Sequence, residues 1–134
     1  MDYKMFIYHK LKKGFLIVPA FLLTFCFAQD FPSVTAEDAF KMKAEKDSII
    51  FVDVRTSDEY KGPLGHIEGS ILIPLHQLEQ NVNQLDSYKG YEMVVYCRSG
   101  NRSQGATRFL RKKGFDAQNM LGGIKAWNKI KDQQ

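Results

Sequence analysis

The chain has 134 residues, 44% of them hydrophobic and 25% charged, which is enough for one globular domain and too few for two. Its formal net charge of +4, from 19 basic and 15 acidic residues, is unevenly placed: residues 1–28 carry four of the basic residues and one acidic one, leaving 15 against 14 in the remainder. A remainder so close to neutral excludes the dense basic surface that nucleic-acid binding needs.

The first predicted element is a targeting segment. Lys4, Lys10, Lys12 and Lys13 precede an almost wholly apolar run from Gly14 to Ala28. The run is short of the roughly 20 residues a membrane-spanning helix requires, and Pro19 interrupts it, which is the layout of a signal peptide. Cleavage after Ala28 places Cys26 and Ala28 at the two small-residue positions. The expected organisation is a signal peptide over 1–28 and a single domain over 29–134. That domain is expected to be exported, and periplasmic if the source is a Gram-negative bacterium. Acylation of Cys26 fits less well, because the bulky Phe25 stands just before it. Membrane association is expected only through this segment if it stays uncleaved. Cleavage removes Cys26 and leaves Cys97 as the sole cysteine, so no internal disulfide can form and a reactive thiol becomes the reading to test. The competing reading is that Cys97 is merely a small buried hydrophobe.

Beyond Asp30, strands and helices are predicted to alternate. Thr35, with Asp38 three residues on, caps a helix carrying Ala39, Phe40, Met42 and Ala44. Ser48 to Val54 is a nearly continuous β-branched and aromatic run, the pattern of a strand covered on both faces. Thr56-Ser57-Asp58-Glu59 is a second capping box opening a short helix that stops at Gly62-Pro63. Ser70 to Ile73 reads as a short strand ended by Pro74, and Leu75, Leu78, Val82 and Leu85 repeat at helical spacing. Glu92 to Tyr96 is the next strand. After it comes a helix with Ala106, Phe109 and Leu110 on one stripe, ended by Gly114, then a strand over Ala117 to Leu121 and a helix presenting Ile124, Trp127 and Ile130. This alternation implies an α/β fold with a mainly parallel sheet and helices on both faces.

Cys97 follows the Glu92–Tyr96 strand directly and so stands at the carboxyl end of the sheet, where such folds place their ligands. A thiol works as a nucleophile only as the thiolate, and an ordinary pKa of about 8.5 leaves little of that form at neutral pH. The unpaired backbone N–H groups of Arg98 to Ser103, where the loop enters its helix, can favour the anion. Gly100 lets the loop curl with its amides inward. Arg98 and Arg102 add guanidinium groups suited to an oxyanion, although either alone could simply be a solvated loop residue. Cys97 is thus the candidate nucleophile, and Arg98, Ser99, Gly100, Asn101, Arg102 and Ser103 are the candidate substrate-binding residues.

Four segments in order make the chain resemble the rhodanese-like sulfurtransferases, specifically small single-domain members of the exported type. They are Asp53-Val54-Arg55 with Glu59-Tyr60, Gly65-His66-Ile67-Glu68-Gly69-Ser70 with Ile73-Pro74, Cys97-Arg98-Ser99-Gly100-Asn101-Arg102-Ser103, and Gly122-Gly123-Ile124-Lys125-Ala126-Trp127. The resemblance covers residues 33 to 130. It implies a rhodanese-like fold and a two-step exchange in which Cys97 takes a sulfane sulfur from thiosulfate or a similar donor, becomes a persulfide, and passes the sulfur to cyanide or a thiol. The loop amides would hold the persulfide, and Arg98 and Arg102 would position the anionic donor. No metal or organic cofactor is implied; the partners are a small anionic donor and a thiol or cyanide acceptor, and the domain is expected to be a monomer.

Two alternatives are set against this. One is a rhodanese-like module that binds a protein without catalysis, which an intact Cys97 disfavours because such modules often lack the cysteine. The other is a phosphatase or arsenate reductase of related fold. Those place five residues between cysteine and arginine to cradle a tetrahedral oxyanion, whereas four lie between Cys97 and Arg102. Asp53 and Arg55 are read as a buried ion pair tying loops together, with Glu59 a candidate partner for Arg55. His66 is read as a loop brace rather than a base, His76 as exposed, and Trp127 as packing the last helix onto the sheet. Gly122 and Gly123 are read as letting backbone pass close to the Cys97 loop.

Overall fold

The computed structural model describes residues 31–134. The expectations for residues 1–28, including processing after Ala28 and the fate of Cys26, lie outside the described residues.

Two threonine N-caps set the first helices, and only the second is a full capping box. Helix α1, Ala36–Glu45, begins where Thr35 Oγ1 accepts the Asp38 amide at 3.0 Å. Helix α2, Ser57–Lys61, is capped reciprocally: Thr56 Oγ1 accepts the Glu59 amide at 3.2 Å while the Glu59 carboxylate accepts the Thr56 amide at 3.1 Å. Between them lies strand β2, Ile49–Asp53, and a two-residue strand β1, Ser33–Val34, which the periodicity of the sequence does not signal, precedes α1. Strand β3 is only Ile71–Leu72.

The segment after Pro74 departs from expectation. Instead of one helix from Leu75 to Leu85, it is a 3₁₀ turn over Leu75–Gln77, a single helical turn α3 over Leu78–Asn81, and 3₁₀ turns over Val82–Tyr88. Leu78 and Leu85 are buried as the spacing predicted, but Leu75 is exposed. Asn81 Nδ2 donates to the Gln77 carbonyl at 3.0 Å, a side-chain bond that competes with the helical ladder in a segment rich in Asn and Gln. A repeat of three serves a 3₁₀ turn as well as an α-helix.

Strand β4, Glu92–Tyr96, helix α4, Asn101–Lys112, strand β5, Asp116–Met120, and helix α5, Gly123–Lys131, complete the domain close to where they were predicted. The five strands form one parallel sheet in the order β1-β5-β4-β2-β3. Helices cover both faces. On one, Ala106 and Leu110 of α4 pack with Leu78 and Leu85 over Val52, Val95 and Ala117. On the other, Ala39 of α1 with Ile124 and Trp127 of α5 pack over Phe51, Val94 and Tyr96. Trp127 sits edge-on to Phe51 with centroids 5.4 Å apart and tilts against Phe40 at 5.0 Å. Asn119, wholly buried on β5, makes no side-chain hydrogen bond among the described residues, and nothing in its surroundings explains that cost.

The strand order places the site. From β2 the chain moves outward to the edge strand β3, then returns past β2 to the central β4 and moves the other way to β5. The carboxyl ends of β2 and β4 therefore flank a reversal of strand order, where an open parallel sheet leaves a crevice. Asp53, Val54 and Arg55 leave β2 there, and Cys97 leaves β4.

Candidate active site

Cys97 lies at the bottom of a tight turn into α4, 1% exposed. The Gly100 amide donates to its Sγ at 3.2 Å and the Ser103 hydroxyl donates at 3.4 Å. Burial works against a charged sulfur here. It is outweighed by the Ser103 hydroxyl and by the Ser103, Ser99 and Gly100 amides, so the thiol pKa falls below its ordinary value. The Gly100 and Ser103 amides are ones the start of α4 leaves without helical partners, and the Ser99 amide joins them from the loop.

Two glycines make the turn feasible. Gly100 has φ +97°, and a Cβ there would meet the Gly122 nitrogen at 3.1 Å and the Met120 carbonyl at 3.3 Å. Gly123, at φ +58°, packs its bare Cα against the peptide between Cys97 and Arg98, with the Arg98 carbonyl carbon and oxygen 2.7 and 2.8 Å from where a Cβ would stand. That approach lets the first turn of α5 hold the loop from below: the Ile124 amide donates to the Cys97 carbonyl at 2.9 Å and the Lys125 amide donates to the Arg98 carbonyl at 3.3 Å. The N-termini of two helices thus meet at Cys97, α4 at its sulfur and α5 at its backbone.

The wall of the crevice is built on a buried ion pair. Arg55 and Asp53 are both wholly buried; Arg55 Nη2 and Nε donate to the Asp53 carboxylate at 2.6 and 3.0 Å. The rest of the guanidinium is used as well: Nη2 donates to the Gly65 carbonyl at 2.7 Å and Nη1 donates to the Glu59 carbonyl at 3.3 Å. Burial opposes the Arg55 charge, but Asp53 more than offsets it and the guanidinium pKa is raised. Tyr96 braces the same wall: its ring lies 5.6 Å from the Arg55 guanidinium, and its hydroxyl accepts the Ile67 amide at 3.1 Å and pairs with Ser70 Oγ at 3.0 Å. His66 stacks on Tyr60 with centroids 3.8 Å apart, the bracing position expected of it.

Glu59 stands elsewhere than its sequence position suggests. Its carboxylate does not meet Arg55. It takes a two-pronged grip from Arg102, Nη2 donating to Oε1 at 2.6 Å and Nη1 donating to Oε2 at 2.8 Å, while Oε2 also caps α2. Hydrogen bonds from Arg102 hold the Glu59 carboxyl at about 2. Arg102 is correspondingly raised, by Glu59 above all and, in smaller part, by the negative charge of Cys97. Glu59 is the residue sequence reasoning undervalued: its helix-capping position explained it locally, and nothing in the chain indicated the second partner 43 positions away.

The seven predicted site residues therefore take different places. Ser99, Gly100 and Ser103 converge on the Cys97 sulfur. Arg102 faces Glu59. Arg98 is exposed and, among the described residues, makes no ion pair; it lines a cleft of about 490 Å³ with Asp58, Glu59, Pro63, Leu64 and floor atoms of Arg55. Asn101 begins α4 with its side chain exposed.

Comparison with known proteins shows the family and the fold. The model of the rhodanese-like domain family matches residues 35–130. YrkF of Bacillus subtilis is 36% identical over 102 residues, covering 75% of this chain and 52% of that one. A sulfurtransferase of Allochromatium vinosum is 30% identical over 95 residues, covering 70% of this chain and 85% of that one. The crystal structure of a rhodanese-like domain protein from Staphylococcus aureus superposes with a TM-score of 0.64 at 31% identity, over 72% of this chain and 90% of that one. The chain spans about half the length of YrkF and less than a quarter of several longer curated relatives.

Proposed function

This chain belongs to the rhodanese-like domain family, and on that premise we propose that it is a sulfurtransferase that carries a sulfane sulfur on Cys97. The observation that carries the proposal is the ring of donors around one buried sulfur: the Ser103 hydroxyl with the amides of Ser99, Gly100 and Ser103, which together lower the thiol pKa. With thiosulfate as donor, the Cys97 thiolate attacks the outer sulfur, the S–S bond breaks, and sulfite leaves with the electron pair. The persulfide anion so formed extends the charge by one atom, and the same loop donors stabilise it. An acceptor such as cyanide or a thiolate then attacks the outer sulfur, taking it away as thiocyanate or a new persulfide and returning Cys97 to thiolate. Each step exchanges one anion for another and needs no separate base.

Arg98 is the cation open to the donor. Arg102 contributes charge from its place on Glu59, which supports the thiolate without a direct bond to it. Four residues between Cys97 and Arg102 support a sulfur cargo over a tetrahedral oxyanion ester. Export, supported by the layout of residues 1–28, and a monomeric state are part of the same proposal.

The test is intact-mass spectrometry of the domain after thiosulfate treatment. Wild type gains one sulfur and yields thiocyanate with cyanide, whereas Cys97→Ser does neither. A wild-type protein that gains no sulfur and forms no thiocyanate overturns the reading.

A further inference from the structure

Two arginines follow Cys97, Arg98 in the loop and Arg102 in the first turn of α4, and only the first is at liberty to meet an anion. Both terminal nitrogens of Arg102 are spent on Glu59, one on each carboxylate oxygen, at 2.6 and 2.8 Å. The acceptor is itself anchored from behind: Glu59 Oε2 also accepts the Thr56 amide at 3.1 Å and the Thr56 hydroxyl at 3.3 Å. Glu59 therefore cannot follow Arg102 toward the sulfur without giving up the capping box of α2. A two-pronged pair on a fixed carboxylate holds the guanidinium in one orientation.

An anionic sulfur donor that took Arg102 for itself would have to break both bonds. It would also leave the Glu59 carboxylate uncompensated beside its own negative charge. Glu59 is ionised at neutral pH with or without its partner, its carboxyl standing at about 2 in the pair against an ordinary 4.5. Arg98, by contrast, is exposed and makes no ion pair among the described residues. Resting on the sulfurtransferase reading above, we propose that Glu59 is a specificity-determining positioning residue that withholds Arg102 from the donor, so that Arg98 alone reads the donor's negative charge. Arg102 still lends its field to the Cys97 thiolate from its place on Glu59. Glu59 is then the repulsive element of the site, and it sets how strongly an anion is preferred over a neutral reagent of the same reactivity. This reverses the role that the spacing of Cys97 and Arg102 suggests, in which both arginines grip the donor.

The experiment alkylates Cys97 with iodoacetate and with iodoacetamide, which react in the same way and differ by one negative charge. The readout is the ratio of the two rates at one pH. The thiolate fraction cancels in that ratio, and a mere loosening of α2 against α4 changes both rates together. Glu59→Gln should raise the ratio about fivefold, the upper worth of a partly exposed charge pair, and lower the KM for thiosulfate in parallel. Glu59→Gln combined with Arg102→Gln should return both to wild-type values, because the wild-type pair presents no net charge to the reagent. An unchanged ratio in Glu59→Gln overturns the proposal. So does a double variant whose ratio falls well below wild type, since Arg102 would then already bind the anion in the native protein. The double variant sets two neutral side chains capable of bonding to each other, so it decides the question even where Glu59→Gln alone does not fold. If thiosulfate never loads the protein, the sulfurtransferase reading fails, while the alkylation ratio still tests what Glu59 does to Arg102.

Discussion

Burial by itself would keep the Cys97 thiol protonated, and the donors around its sulfur reverse the outcome. The contest is local, so single substitutions should move it. In wild type, alkylation by iodoacetamide should reach half its maximal rate at a pH below the ordinary cysteine value of about 8.5. The sign follows from the anion being the reactive form: a lower pKa means more thiolate at neutral pH. Ser103→Ala removes the hydroxyl donor but keeps the Gly100 amide, and should shift the profile to higher pH, because the thiolate loses one of the donors that favour it. An unchanged profile in Ser103→Ala would show that the amides alone set the pKa. Cys97 itself was legible in the sequence, because a strand that ends in a thiol and runs into a Gly-containing turn delivers that thiol to the carboxyl edge of a parallel sheet. Which of the following residues turn inward was not legible. Ser103 and Asn101 are both polar residues near the start of α4, and only the helix phase buries one and exposes the other.

Among the elements, α2 and α4 are joined at the crevice by Glu59 and Arg102. With the Glu59 carboxyl at about 2 in the folded domain against an ordinary 4.5, the pair stabilises fully above about pH 4.5. That contribution is lost as pH falls from there toward 2. The side chains keep 30% and 39% of their exposure, which limits the contribution to about 1 kcal/mol. Urea titrations at stepped pH should therefore show wild type losing that much more stability than Glu59→Gln between about pH 5 and 2. Parallel acid limbs in the two proteins would mean the pair does not hold α2 to α4. Both threonine N-caps, and so both helix starts, were readable from four-residue patterns, because a cap is satisfied within its own turn. The stretch from Leu75 to Tyr88 misled the reading for the same reason in reverse: apolar spacing reports which side chains are buried and says nothing about which carbonyls the intervening amides will occupy.

At the level of the whole domain, the Asp53–Arg55 pair ties the end of β2 to α2 and to the loop at Gly65, forming the frame on which the crevice hangs. Arg55→Met leaves a buried carboxylate without its counter-charge and should cost about 3 to 5 kcal/mol. Replacing both partners, as Asp53→Leu with Arg55→Met, should cost less than Arg55→Met alone, since the uncompensated charge is gone. Additive losses in a double-mutant cycle by chemical denaturation would contradict a closed ion pair. Arg55 is wholly buried, so the effect belongs to folding and should lower the midpoint before it alters the reactivity of Cys97 in the protein that remains folded.

The sequence alone determined the alternation of strands and helices, the parallel α/β class, the two helix caps, the family resemblance and the place of Cys97 at the carboxyl end of β4. All of these are written in contacts within a few residues or in periodicities along one element. The tertiary structure decided what spacing along the chain does not encode: that β4 lies at the centre of the sheet beside β2, that β1 pairs at the edge with β5, that Gly123 brings the first turn of α5 under Cys97, and that Arg102 turns to Glu59 while Arg98 and Asp58 face the same cleft. Each of these depends on which surfaces the sheet order brings together, because a side chain's charge is fixed by its identity but its partner is fixed by packing.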